Sequence, residues 1–139
     1  MLYANLFTPR QIPARFQRVS KEDYKPGSSR VITVSNRIPV RPEFVEAFEA
    51  RFQERLGLVD QMPGFLAYRL LRPARPEHPY VVLTFWESEE HFRAWTSSEQ
   101  FREQHRKERT LGPEAFAGPV QLEVHQVVQQ SGQVLAPAG

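Results

Sequence analysis

The run Tyr80-Val81-Val82-Leu83-Thr84-Phe85-Trp86 constrains the fold more than any other stretch of the chain. Side chains of a strand alternate between two faces, and here both sets are apolar: Tyr80, Val82 and Trp86 on one, Val81, Leu83 and Phe85 on the other. Such a strand needs cover on each side of its sheet. Helices can cover one side, and a second subunit would explain the other. The chain then runs into a capped helix. Ser88 is a good N-cap, Glu89 and Glu90 follow at the positive end of the helix dipole, and Phe92 and Trp95 share a face three residues apart. Ser97 repeats the cap signal, with Gln100 three residues on as in a capping box. That opens a second helical piece in which Phe101 and His105 lie four apart on one face. The break at Ser97-Ser98 loses the helical phase, so periodicity alone does not place Trp95 and His105 on a common wall.

Upstream, Ile32, Val34, Asn36, Ile38 and Val40 form one face of an earlier strand, and Asn36 is its one polar member. A buried amide without partners costs about 1–3 kcal/mol. Asn36 therefore either pairs with backbone or faces a pocket, and the residues alone favour backbone pairing. Residues 42–56 predict an amphipathic helix from Phe44, Phe48, Phe52 and Leu56, with Pro42 in the first turn and Gly57 as its stop. Pro63-Gly64 marks a turn, Phe65 to Leu71 a second strand, and Arg72 to Pro79 a loop with three prolines. Thr110 to Pro119 reads as another loop. Val120, Leu122, Val124, Gln126 and Val128 alternate as a last strand, and a polar tail follows from Gln129. The order β-α-β-β-α-β predicts an α+β, ferredoxin-like domain over residues 30–129. Residues 1–29, basic and interrupted by Pro9, Pro13 and Pro26, predict a partly ordered N-terminal extension, and residues 130–139 a C-terminal tail. A small sheet with helices on one face leaves the other bare, and pairing two such faces into a homodimeric barrel is a natural twofold solution.

Composition narrows the chemistry. At 139 residues the chain predicts one domain. Without cysteine it has no disulfide, thiolate metal site or cysteine nucleophile. The formal charge of +2 is too small to argue for nucleic acid. No apolar run approaches the roughly 18–20 residues of a membrane span, and the first residues lack the pattern of a secretory signal, so no membrane partner and a cytoplasmic location are expected. No phosphate loop, nucleophile elbow or zinc-helix motif is present. Arg102, Arg106 and Arg109 cluster on or just beyond the second helical piece. They read as a solvated face or as cations for acidic groups of a ligand beside His105. Trp95 alone reads as core and Trp86 as core or interface. His78, His91 and His125 have no supporting partner and receive no role.

Taken together, Ser35-Asn36-Arg37-Ile38, the Thr84–Trp95 segment and Ser98 to His105 closely resemble the haem-degrading monooxygenases of the bacterial IsdG type, within the wider antibiotic-biosynthesis-monooxygenase group. The resemblance covers roughly residues 31–128. It implies a homodimeric α+β barrel that binds haem as both substrate and cofactor and opens the porphyrin with O2 and external electrons, releasing iron. It implies His105 as the proximal ligand of the haem iron and Asn36 as the distal-side amide. Trp95 would be the bulky wall that ruffles the porphyrin. Arg102 and Arg106 become candidates for the haem propionates. Electrons would come from a separate reductase, since the chain carries no flavin or nicotinamide signature. Two other functions stay open: a cofactor-independent monooxygenase acting on an aromatic or quinol substrate, which would need no iron ligand, and a haem-binding protein without catalysis. The long arm before Val31 and the Thr110–Pro119 loop depart from the compact family pattern.

Overall fold

The computed structural model describes residues 30–55, 57–107 and 111–132, with backbone alone for 106 and 107. The predicted extension over 1–29 and the tail beyond 132 lie outside the described residues.

Four strands form one antiparallel sheet: β1 (Ile32–Ile38), β2 (Phe65–Leu71), β3 (Tyr80–Trp86) and β4 (Gln121–Gln126), in the order β2-β3-β1-β4. Helix α1 (Val45–Gln53) joins β1 to β2, and α2 (Glu89–Thr96) with α3 (Glu99–Lys107) join β3 to β4. This is the ferredoxin-like α+β arrangement that the element order predicts. The two central strands alternate strictly. Ile32, Val34, Asn36 and Ile38 of β1 are buried and pair in register with Trp86, Thr84, Val82 and Tyr80 of β3, which are buried too. Helices pack on this inner face, where Phe48 of α1 meets Tyr80 and Phe92 of α2 meets Trp86, with ring centroids 4.8 and 5.9 Å apart. On the opposite face Val81, Leu83 and Phe85 are half-buried, and Leu66 and Leu71 of β2 are exposed.

Four local expectations need correction. The first helix is shorter than 42–56. Pro42–Phe44 is a 3₁₀ turn, and α1 ends at Gln53, where the Glu54 N–H already reaches back to Arg51 and Phe52. Gly57, at φ +73°, instead begins a second 3₁₀ turn, Leu58–Gln61, that buries Val59 and is clipped by an Arg55–Asp60 ion pair at 2.6 Å. The cap of the second helical piece is Ser98 rather than Ser97. Ser98 Oγ accepts the Phe101 N–H at 3.0 Å, while Ser97 closes α2 with its N–H on the Arg93 carbonyl. Gln100 is therefore one residue out of register for a capping box. The last strand stops at Gln126, because β1 begins at Ile32 and the ladder runs out after Val127 N–H reaches Val31 O; Val128 is 78% exposed. The described part of the Thr110–Pro119 stretch is a loop as expected, with local order of its own. A 3₁₀ turn at Pro113–Ala115 buries Ala115, and Phe116 bridges Val40.

One contact fixes the corner between β2 and α2. Gly64 has φ +82°, and a Cβ placed on it would stand 2.2 Å from the His91 ring. His91 shares a 2.7 Å hydrogen bond with the Ser88 hydroxyl, which also caps α2 by accepting the His91 N–H. His91 therefore has a partner that the sequence reading did not assign to it, and a structural one.

Candidate functional site

The candidate residues gather around a break between two short helices, α2 and α3. α2 buries Phe92, Arg93, Trp95 and Thr96. Arg93 keeps its charge partner on its own helix, pairing with Glu89 one turn earlier at 2.9 Å. Trp95 is fully buried. At the break, Ser98 Oγ donates to the Trp95 carbonyl at 2.7 Å and accepts from Phe101 N–H, so one hydroxyl stitches the end of α2 to the start of α3. The Phe101 ring then meets the Trp95 indole edge-on, centroids 5.3 Å apart at 87°, and lies nearly parallel to the His105 imidazole at 6.5 Å and 9°. The phase that the sequence loses at Ser97-Ser98 is thus restored through Phe101, which sits between the other two rings. His105 is half-buried at the end of that series.

Asn36 stands across the layer, on the helix-covered face of the sheet between Val82 of β3 and Leu122 of β4. It is 1% exposed, and its Oδ1 has no hydrogen-bond partner among the described residues. The expectation that backbone would satisfy this amide oxygen is not met. The reason is geometric: β1 is a central strand whose backbone is already paired on both sides, so no main-chain donor is left within reach of an inward side chain. The Trp95 Nε1–H is likewise buried without an acceptor among the described residues. Trp86, by contrast, is plain core, its Nε1–H donating to Thr84 Oγ1 at 3.1 Å.

Arg102 is exposed and engaged along its own helix, with Glu99 at 2.7 Å and the Ser97 carbonyl at 3.3 Å. The side chains of Arg106 and Arg109 lie outside the described residues. Gln104 was not singled out by the sequence, yet it is fully buried and its Oε1 accepts the Leu58 N–H at 3.1 Å. The one available signal was its i+3 spacing from Phe101 on the same helix.

A second polar group lies at the far end of the sheet. Glu49 of α1 holds Arg72 through two hydrogen bonds, at 2.7 and 2.6 Å, and also accepts from the Tyr80 hydroxyl. These residues, with Val45, Glu46, Ala50 and Gln53, line an open groove of about 410 Å³. Hydrogen bonds from Arg72 and then Tyr80 lower the Glu49 carboxyl from an ordinary 4.5 to about 2. Burial, followed by the bond to Glu49, raises the Tyr80 hydroxyl from 10.0 to about 12. All three side chains satisfy one another.

Residues 31–107 match the family described as antibiotic biosynthesis monooxygenase. The chain belongs to that family. Among relatives, a Mycobacterium tuberculosis protein named "Heme oxygenase (mycobilin-producing)" is 49% identical over 49 residues, which is 35% of this chain and 47% of the relative. The chain thus spans about half the length of that mycobacterial relative. A Staphylococcus haemolyticus protein named "Heme oxygenase (staphylobilin-producing)" is 36% identical over 78 residues, covering 54% of this chain and 73% of its own length. Among solved structures, the M. tuberculosis heme-degrader MhuD, with two hemes bound in its active site, superposes with a TM-score of 0.62 at 34% identity, over 73% of this chain and 99% of that one. No helix among the described residues is long and apolar enough to cross a membrane.

Proposed function

We propose that this protein is a haem-degrading monooxygenase that opens the porphyrin ring of its haem substrate with O2 and electrons from a separate reductase, releasing iron. The observation that carries the reading is a pair of buried polar atoms, Asn36 Oδ1 and Trp95 Nε1, that no described residue satisfies. Leaving such groups unpaired costs about 1–3 kcal/mol each, so their retention fits a ligand that supplies partners. The relatives named as haem oxygenases and the haem-bound MhuD structure support the same substrate.

The donor set fits haem. An imidazole is a competent iron ligand, and His105 would hold the haem iron. When bound, haem supplies the redox chemistry that activates oxygen. The chain's own residues do the rest. Asn36 would present its carboxamide to the bound group, where a half-turn of its side chain places either the oxygen or the NH2 group to orient a polar reactant by hydrogen bonding. Trp95, locked by its edge-on contact with Phe101, would offer a rigid wall to the macrocycle and help position it. Phe101 holds His105 in orientation through their parallel rings. Arg102 and Arg106 are assigned to the propionates; for Arg102 this requires exchanging Glu99 for the ligand, a small cost for an exposed pair.

The half-buried Val81, Leu83 and Phe85 support a homodimer in which a second copy covers the outer sheet face. The domain boundaries follow, with residues 30–129 as the catalytic unit and the flanking segments outside it, and a cytoplasmic location is part of the same reading.

Titrating haem into the purified protein tests the proposal. One equivalent per subunit should bind, and reductant under air should then bleach the Soret band and liberate iron. Haem that binds but survives reductant and oxygen would make the protein a carrier. Oxidation of a quinol by iron-free protein would make it a cofactor-independent oxygenase.

A further inference from the structure

Seven side chains of α3, residues 99–105, are described, and two of them, Phe101 and Gln104, are fully buried. The other five described side chains are exposed or half-buried. Phe101 anchors it by a ring, and ring packing alone lets a helix roll about its axis. Gln104 adds a directional anchor. Its Oε1 accepts the Leu58 N–H at 3.1 Å, 46 positions away in the chain. That N–H opens the Leu58–Gln61 turn, where the first donors have no partner within the turn itself. A long amide side chain buried in full loses much rotamer freedom, so this bond is a costly way to fasten two surface elements. A stepwise turn of about 100° per residue sets Gln104 roughly 60° to one side of Phe101 and His105 roughly 40° to the other. Any roll of α3 therefore carries the imidazole with it.

We propose that Gln104 is a positioning residue for haem ligation: by tying α3 to the Leu58–Gln61 turn it fixes the rotation of the helix and hence the direction of the His105 ring. This rests on the haem reading above. Gln104 touches no reacting atom; it raises the fraction of molecules whose histidine is already aligned for the iron, and apparent affinity scales with that fraction.

Two variants separate the roles. Q104M keeps length and apolar volume but removes the acceptor; Q104E keeps an acceptor at the same position. Each is compared with wild type by circular dichroism, by haem titration, by the iron–histidine stretching band of the ferrous haem complex, and by hydrogen exchange of the haem-free protein at Leu58 and along 101–105. In Q104M the haem Kd should rise about fivefold to tenfold, as expected for one lost buried hydrogen bond. Its iron–histidine band should shift or broaden and its Leu58 amide exchange faster, while Q104E restores both haem signatures. A folded Q104M with wild-type Kd and an unaltered band overturns the inference. If Q104M does not fold, Q104E decides: a native band supports the role and a lost band in folded Q104E overturns it. Wild-type protein that takes up no haem sinks the haem reading along with this one, whereas normal wild-type binding with an unaffected Q104M sinks this inference alone.

Discussion

Two regions of the layer between sheet and helices treat polar groups in opposite ways. At one end Glu49, Arg72 and Tyr80 satisfy each other, and the carboxyl and hydroxyl are held in their charged and neutral forms respectively. Near the middle, Asn36 and Trp95 each bury a polar atom that finds nothing among the described residues. Folding alone selects the first arrangement, because an unpaired buried group subtracts from stability. The second makes sense only where something other than folding is served. A completed polar cluster is thus a brace, and the unsatisfied Asn36 and Trp95 atoms are what the haem proposal accounts for.

The sharpest way to break this contrast is His105→Ala. Haem-dependent ring opening should fall to background and ligation should weaken; full turnover by that variant in a Soret bleaching assay would remove the iron ligand from the scheme. Next comes Asn36→Leu, for which activity and stability should move apart. Haem should still bind, turnover should drop by about a hundredfold if the amide acts on developing charge, and the urea midpoint should rise, corresponding to about 1 kcal/mol recovered by removing an unsatisfied group. A loss of stability there would show that the amide is paired after all. Tyr80→Phe should do the reverse. It removes a bond to a charged acceptor and should cost about 1–2 kcal/mol in the same urea assay, with haem affinity unchanged; an altered affinity would join the two regions.

The smallest effect is the pH dependence of stability. The Glu49 carboxyl is depressed on folding, so its contribution is complete above its ordinary 4.5 and disappears as pH falls toward about 2. The Tyr80 hydroxyl is raised, so its contribution is complete below 10 and is lost as pH climbs through about 12. Thermal melts of Glu49→Gln should lack the acid limb, and a limb of wild-type size in that variant would assign it to other carboxylates.

Much of this architecture was legible in the residues. The strict alternation of β1 and the doubly apolar β3 defined the sheet, and Ser88 marked the start of α2, because those signals are local and repeat every two residues or rest on one hydrogen bond. Helix ends were less legible. α1 stops where the chain turns to bury Val59, a tertiary demand that leaves no mark in a run of Phe at i+4. For the proposed site, Asn36, Trp95 and His105 were candidates on the sequence alone. Their relation could not be read there, since the stitch by Ser98 and the ring of Phe101 between two others are geometric facts. Gln104 was silent for the same reason: its partner is a backbone N–H far along the chain.

The imidazole of His91 occupies the volume where any side chain at position 64 would have to go, and the Glu87 N–H is bonded to the carbonyl of that same glycine at 2.8 Å. The turn that feeds β2 and the first residues of α2 are therefore keyed together like a tenon in its mortise. Phe65, just after that glycine, and Trp95, further along the helix that carries His91, inherit a common frame of reference from that joint.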